Sequence, residues 1–159
     1  MNDYQNILLA VELSSEDDPV ILRAQQMAKQ YGSVLSIIHV LDNIPMPDTA
    51  YGTEIPLYNG LNDELLEAKK TRLNDIGKGL GLDASRIRMV WGLPRQEIIR
   101  LAEEASTDLI IVGSHGRHGL ALLLGSTASG VLHHSPCDVL AVRLNRQPPL
   151  GDLVLDAHK

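Results

Sequence analysis

The chain has no phenylalanine, one tryptophan and one cysteine. Without Phe, the core of a 159-residue domain has to be built from Leu, Ile, Val and Ala. A single cysteine, Cys137, excludes an intrachain disulfide and suits a reducing compartment. Positive charge is scarce as well. The formal net charge is −6, which argues against a general nucleic-acid binder and leaves room only for a local basic patch. No run approaches the ~18 apolar residues of a membrane span, and Met1-Asn2-Asp3 lacks the cationic start of a secretory leader. These absences lead to the expectation of a cytoplasmic protein that engages neither membrane nor nucleic acid. What is present, 44% hydrophobic and 21% charged residues, is the composition of a folded domain.

Strand and helix patterns alternate along the chain. Gln5–Leu13 reads as a buried strand, apolar from Ile7 to Val11. Ser14-Ser15-Glu16-Asp17-Asp18-Pro19 reads as a helix start, with the serines as caps and the acids matched to the helix dipole. The helix is expected to turn Val20, Leu22, Ala24, Met27 and Ala28 inward and to stop near Gly32. Val34–Val40 is the second strand. A linker with Pro45, Pro47, Gly52, Pro56 and Gly60 follows, of a length that is uncommon inside a domain. The second helix has Asn62 or Asp63 as cap and Leu65, Leu66, Leu73 and Ile76 at helical spacing. Arg86–Trp91 is a third strand, whose alternation suggests an edge with one wetter face. Helix Arg95–Ala105, strand Asp108–Val112, a helix from Gly125 or Ser126 to His134, and strand Asp138–Arg143 complete the series.

Such alternation means an α/β fold, one open parallel sheet with helices on both faces. One domain over residues 1–145 and a tail over 146–159 account for the chain. In open parallel sheets, ligands sit off the carboxyl ends of the strands where strand order reverses. Ala10–Leu13, Val40–Asp42 and the loop after Val112 are expected to meet there.

That loop carries the most specific pattern in the chain, Val112-Gly-Ser-His-Gly-Arg-His-Gly119 followed by Gly125-Ser126-Thr127. Glycines let a backbone approach a ligand closely, and a helix opening on Gly-Ser-Thr offers free N–H groups and hydroxyls to a phosphate. It is not a P-loop, because no lysine stands at the helix start. Nor is it a dinucleotide fingerprint, which belongs to the first strand–helix turn; here that turn is the acidic Glu12-Leu-Ser-Ser-Glu-Asp-Asp18. The bland alternative is that the glycines only allow a tight strand–helix crossing.

Over nearly its whole length the chain resembles the universal stress protein family. The resemblance is carried by Asn6–Ser14, by Gly92-Leu-Pro94 with Glu97-Ile98-Ile99, and above all by Ile111–Arg117, Gly125-Ser126-Thr127 and Cys137–Arg143. It implies a five-stranded Rossmann-like sheet of order 3-2-1-4-5, of the adenine nucleotide alpha hydrolase type. It also implies a homodimer, in many members through the fifth strand, here Val139–Arg143. One branch of the family binds ATP or AMP through Gly-x2-Gly-x9-Gly-Ser/Thr; another lacks the glycines. Here Gly113, Gly116, Gly125 and Ser126 are present, but eight residues rather than nine separate Gly116 from Gly125, and Glu12 stands where the family usually has Asp. The shorter loop is expected to shift the helix N-terminus relative to the strand end. By resemblance, Ala10, Glu12 and Val40 line the adenosine end, and Val112 and Gly113 lie under the ribose. Gly116, Arg117, Gly125, Ser126 and Thr127 hold the phosphates of ATP or AMP, with or without Mg²⁺.

Other residues are read more plainly. His115, His118, His133 and His134 lack the cysteine or acid that would complete a metal shell. Cys137 is a small core residue with no activating base in sight. No catalytic base or lysine serves phosphoryl transfer, so the chain reads as a binder and at most a slow ATPase. The leading expectation is a dimeric, nucleotide-binding stress-response sensor. The alternative is a nucleotide-free dimeric scaffold that acts on an unidentified protein partner.

Overall fold

Ile7, Leu8 and Leu9 are each no more than 1% exposed. A strand apolar on both faces belongs in the middle of a parallel sheet covered by helices on each side, and that is where it lies. The computed structural model describes residues 3–42, 64–114 and 124–144. The elements run β1 (Asn6–Ala10), α1 (Asp18–Tyr31), β2 (Val34–Leu41), α2 (Glu64–Gly79), a 3-10 turn (Ala84–Arg86), β3 (Ile87–Trp91), α3 (Pro94–Glu104), β4 (Leu109–Gly113), α4 (Ser126–His134) and β5 (Asp138–Val142). The five strands are parallel and ordered β3-β2-β1-β4-β5, so the expected sheet is the observed one.

Alternation along the strands divides the core. Ile7, Leu9, Ile37 and Ile111 join Val20 and Ala24 of α1 and Leu66 and Leu73 of α2. Leu8, Ile38, Val90 and Ile110 join Ile98 and Leu101 of α3 and Ala128 and Val131 of α4. At the amino end, Asp108 accepts the N–H groups of Gln5 (2.8 Å) and Asn6 (3.0 Å), which pins the start of β1 to β4. Gly32 ends α1 in the left-handed region, φ 64°, and its N–H returns to the Ala28 carbonyl, the conformation in which glycine costs least. Among the described residues, no helix is long and apolar enough to cross a membrane.

Three expectations need correction. Leu22 and Leu65 are 53% and 56% exposed. Leu22 lies two residues from both Val20 and Ala24, which puts it on the far side of a 3.6-residue helix, and Leu65 gives its place to Leu66. β1 stops at Ala10 and does not reach Leu13; Val11 adds one more bond, to the Ile38 carbonyl (3.0 Å), before Leu13 turns to φ 62°. β3 is an edge strand as expected, but it has no wet face: Arg88 is half-exposed while Val90 is buried under the α3 side. The long linker, its Asn62 or Asp63 cap and the tail lie outside the described residues.

α2 comes close to the sheet because Gly77 has no side chain. A Cβ there would stand 2.6 Å from Ile87 Cγ1 and closer still to Ile87 Cδ1. Gly77→Val is therefore expected to destabilise the fold by about 2 kcal/mol through overpacking, and Ile87→Val, which removes Cδ1, to recover part of that loss. Urea denaturation of the single and double variants checks it; an unchanged midpoint for Gly77→Val would refute the contact.

Candidate functional site

The strand order reverses beside β1, and in open parallel sheets the carboxyl ends of the strands at such a point, here β1, β2 and β4, are where a crevice forms. Ala10, Val40 and Val112 all belong to the core of the α3 and α4 side. Ala10 lies level with Ile38, and Leu9 with Ile111, so Val112 is beside Ala10 and Val40 is one alternation above Ile38. Val40 is 7% and Val112 2% exposed, whereas Ala10, on the central strand, is half-buried. The half-exposed Ala10 methyl, beside Val112 and diagonal to Val40, gives this end of the central strand a small apolar surface, a notch relative to the larger valines.

The chain leaves β1 under tight control. Leu13 sits in the left-handed region at φ 62°, a conformation that costs a non-glycine residue about 1–3 kcal/mol. The residues on either side hold it there. The buried Asp17 carboxylate accepts the N–H groups of Glu12 (3.3 Å) and Ser14 (3.1 Å). Arg72 of α2 donates to the Ser14 carbonyl (3.1 Å). His39, buried in β2, lies 2.8 Å through Nδ1 from the Val11 carbonyl. A carbonyl can only accept, so Nδ1 carries the hydrogen. Asp17 was expected to be a dipole-matching acid and Ser14 a helix cap. Instead Asp17 stands at the cap position without capping, and Ser14 Oγ accepts the Glu16 N–H (3.2 Å) within the turn. The half-buried Glu12 is thus presented by a braced loop.

At the end of β4, Ser114 joins three elements. Its N–H bonds the Val142 carbonyl of β5 (2.8 Å), and its carbonyl accepts the Gly125 N–H (2.6 Å). The two halves of the glycine motif are tied together at that point. Gly113 is required by packing, since a Cβ there would stand 2.9 Å from Leu144 Cδ1. Ser114 is 9% exposed, and its Oγ has no hydrogen-bond partner among the described residues. A buried hydroxyl left with no partner at all would cost about 1–3 kcal/mol. Gly125 caps α4 with no side-chain bond, Ser126 is exposed and Thr127 half-buried. Among the described residues, the amides of the first turn of α4 receive no side-chain cap bond, and an uncapped helix N-terminus is a place where an anion can bind.

The structure thus gathers Ala10, Glu12, Val40, Val112, Gly113, Gly125, Ser126 and Thr127 at one rim. Gly116 and Arg117, like His115 and His118, lie outside the described residues. Sequence reasoning did not single out Ser114 beyond quoting it in the motif, and gave Asp17 and His39 no role at the rim. The signal for Asp17 was faint, one acid in a run of three. His133 and His134 are exposed in the last turn of α4, at the opposite end from the rim. Burial pushes the Cys137 thiol above its usual value, which suits a core residue and not a nucleophile. A cleft of 410 Å³ lined by Lys29, Ser33, Gly81 and Arg86 lies at the amino ends of the strands, away from the rim.

Burial raises the Asp17 carboxyl above the ordinary Asp value, against the pull of its backbone N–H donors and Arg72. The folded protein then holds this proton more tightly than the unfolded chain does. The contribution of Asp17 to stability is largest below the unfolded pKa and declines as pH rises through the folded one. Asp17→Ala leaves two backbone N–H groups without their acceptor and is expected to cost about 2 kcal/mol. The difference between wild type and variant should shrink as pH climbs out of the acid range. Denaturation curves across acid to neutral pH test this, and a difference that grows with pH would show the sign to be wrong.

A family model described as the universal stress protein family matches residues 3–143. Universal stress protein A homolog 2 of Coxiella burnetii is 38% identical over 145 residues, which span 91% of this chain and 98% of the relative. Among solved structures, a universal stress protein in complex with cAMP has a TM-score of 0.62 at 25% identity, covering 91% of this chain and all of that one. The hypothetical protein MJ0577, the subject of a structure-based assignment of biochemical function, has a TM-score of 0.71 at 25% identity and covers 92% of this chain and 100% of its own.

Proposed function

The chain belongs to the universal stress protein family, and on that premise we propose that it binds an adenine nucleotide, ATP or AMP, at the carboxyl rim of its sheet and serves as a dimeric, cytoplasmic sensor of it. The notch at Ala10 between Val40 and Val112 carries this reading. It offers a small apolar surface at the carboxyl end of β1, on the face that α4 covers. A base in the notch directs its ribose past Val112 and Gly113, toward Glu12 on its braced loop. The phosphates then reach the amides and hydroxyls of Gly125, Ser126 and Thr127, with Gly116 and Arg117 of the intervening loop. Ser114 Oγ fits this assignment, because a ligand oxygen would give it the partner it lacks among the described residues. Mg²⁺ accompanying ATP would have the Glu12 carboxylate to bind. The cAMP complex of a related stress protein supports the ligand class. The reducing compartment rests on the lone Cys137.

Calorimetric titration with ATP and AMP, with and without Mg²⁺, tests the reading; no heat at millimolar nucleotide would sink it. Ala10→Leu fills the notch from a half-exposed position, so it should fold normally yet bind roughly tenfold more weakly or worse. Unchanged affinity would move the base elsewhere.

The second reading, a nucleotide-free scaffold acting on another protein, is favoured by the eight-residue Gly116–Gly125 spacing and by Glu12; both readings keep the dimer, for which β5 offers a contact. The strand is an edge, and its Val139, Leu140 and Val142 are only half-buried, which leaves an apolar edge open to pairing. We assign the dimer contact to Val139–Arg143. The Val142 carbonyl bonds Ser114, so the backbone groups of Ala141 face outward by alternation. Ala141→Pro removes an outward N–H and spares the bonds to β4. The wild type is expected to sediment as a dimer and the variant as a folded monomer; a variant that remains dimeric would exclude this edge.

A further inference from the structure

Arg95 stands in the first turn of α3, where the helix dipole favours an acid and disfavours a cation. Its side chain is held in a definite place. Gly130 of α4 has no Cβ, and one built there would meet Arg95 Cδ, lie 2.9 Å from Cγ and 3.3 Å from Cβ. The stem of Arg95 therefore fills the space that Gly130 leaves open. Long helical side chains lean toward their own N-terminus, and the N-terminus of α3, following β3, opens on the same rim as that of α4. Gly130 is four residues from Ser126, about 6 Å along the helix, and Nε, Cζ and the Nη atoms of Arg95 continue beyond Cδ. Arg95 is exposed, and its guanidinium has no ion-pair partner among the described residues. Arg72, which also reaches this end of the fold, is occupied by the Ser14 carbonyl. Neither α3, capped by Leu93, nor α4, capped by Gly125, has a side-chain bond at its N-terminus. Glu97, the acid in the first turn of α3, is buried and paired with Arg100 (2.8 Å), so the Arg95 guanidinium is not drawn onto its own helix and stands beside the first turns of α3 and α4.

We propose that Arg95 contacts the outer phosphates of the bound nucleotide and sets a preference for a polyphosphate tail over the bare nucleoside. This rests on the nucleotide reading above. A guanidinium pairs with phosphate through charge-assisted, often bidentate hydrogen bonds. It takes the part that a lysine at the helix start plays in a P-loop, and reaches the site from the neighbouring helix.

The test is a titration of ATP and adenosine against wild type, Arg95→Ala, Arg95→Lys and Gly130→Ala. Arg95→Ala should weaken ATP about ten- to a hundredfold and leave adenosine unchanged, while Arg95→Lys regains part of the loss. Gly130→Ala improves helix propensity, so it should be no less stable, yet its methyl displaces the Arg95 stem and should weaken ATP in the same way. If Arg95→Ala binds ATP as wild type does, or loses adenosine equally, the Arg95 assignment is overturned and the nucleotide site stands. If wild type binds neither ligand, both fall.

Discussion

One backbone hydrogen bond, from the Gly125 N–H to the Ser114 carbonyl, decides where α4 begins. Ser114 is itself fixed, because its N–H is taken by Val142 of β5. β4, β5 and α4 thus meet at a single residue, and the orientation of the first-turn amides of α4 follows from that junction. The requirement for small residues on either side is physical. Gly113 leaves space for Leu144, and Gly125, without a side chain, opens the helix with no side-chain cap bond among the described residues. The glycines therefore have a packing role at one end of the motif and open a helix without a side-chain cap at the other. The tight-crossing explanation accounts for Gly113; Gly125 is the member to which the ligand proposal attaches.

The opposite wall of the crevice depends on a buried carboxylate. Asp17 sits at the head of α1, yet it serves the loop before it, holding the N–H groups on both sides of the left-handed Leu13. His39 anchors Val11 from below and Arg72 anchors Ser14 from α2. The strain at Leu13 is of the same order as the few bonds that oppose it. The exit of β1 is consequently rigid where Glu12 emerges, and it is tied to both helices of its own face. A ligand contacting Glu12 would meet a preorganised group.

Much of this was legible in the residues. Continuous apolar runs at Ile7–Leu9 and Leu109–Val112 mark strands buried on both faces, and Gly125-Ser126 marks the start of α4 within a residue. The exposed Leu22 and Leu65 were not legible as exposed, because hydrophobicity alone does not rank two leucines or valines that compete for one helix face; rotation about the axis does. Asp17 was misread for a related reason. Three acids in the first turn are equivalent to a dipole argument, and only tertiary structure shows which carboxylate turns back to find backbone donors. Ser114 and Arg95 depend on neighbours distant in sequence, Gly125 and Gly130, and spacing along the chain does not reveal such pairs.

The short loop takes on a different meaning once its ends are placed. Losing one residue between Gly116 and Gly125 would matter most if the loop alone positioned α4, for then each deletion would move the helix start. Here the helix start is fixed by Ser114, and the loop spans two ends already joined. A change of length falls on the residues between them, including Gly116 and Arg117, and not on the amides of α4 or on Thr127. Under the nucleotide proposal, the departure from the usual family spacing would therefore bear on the loop and less on the start of α4. Beside Arg117 of the loop, a second cation from outside it stands in the first turn of α3, at Arg95.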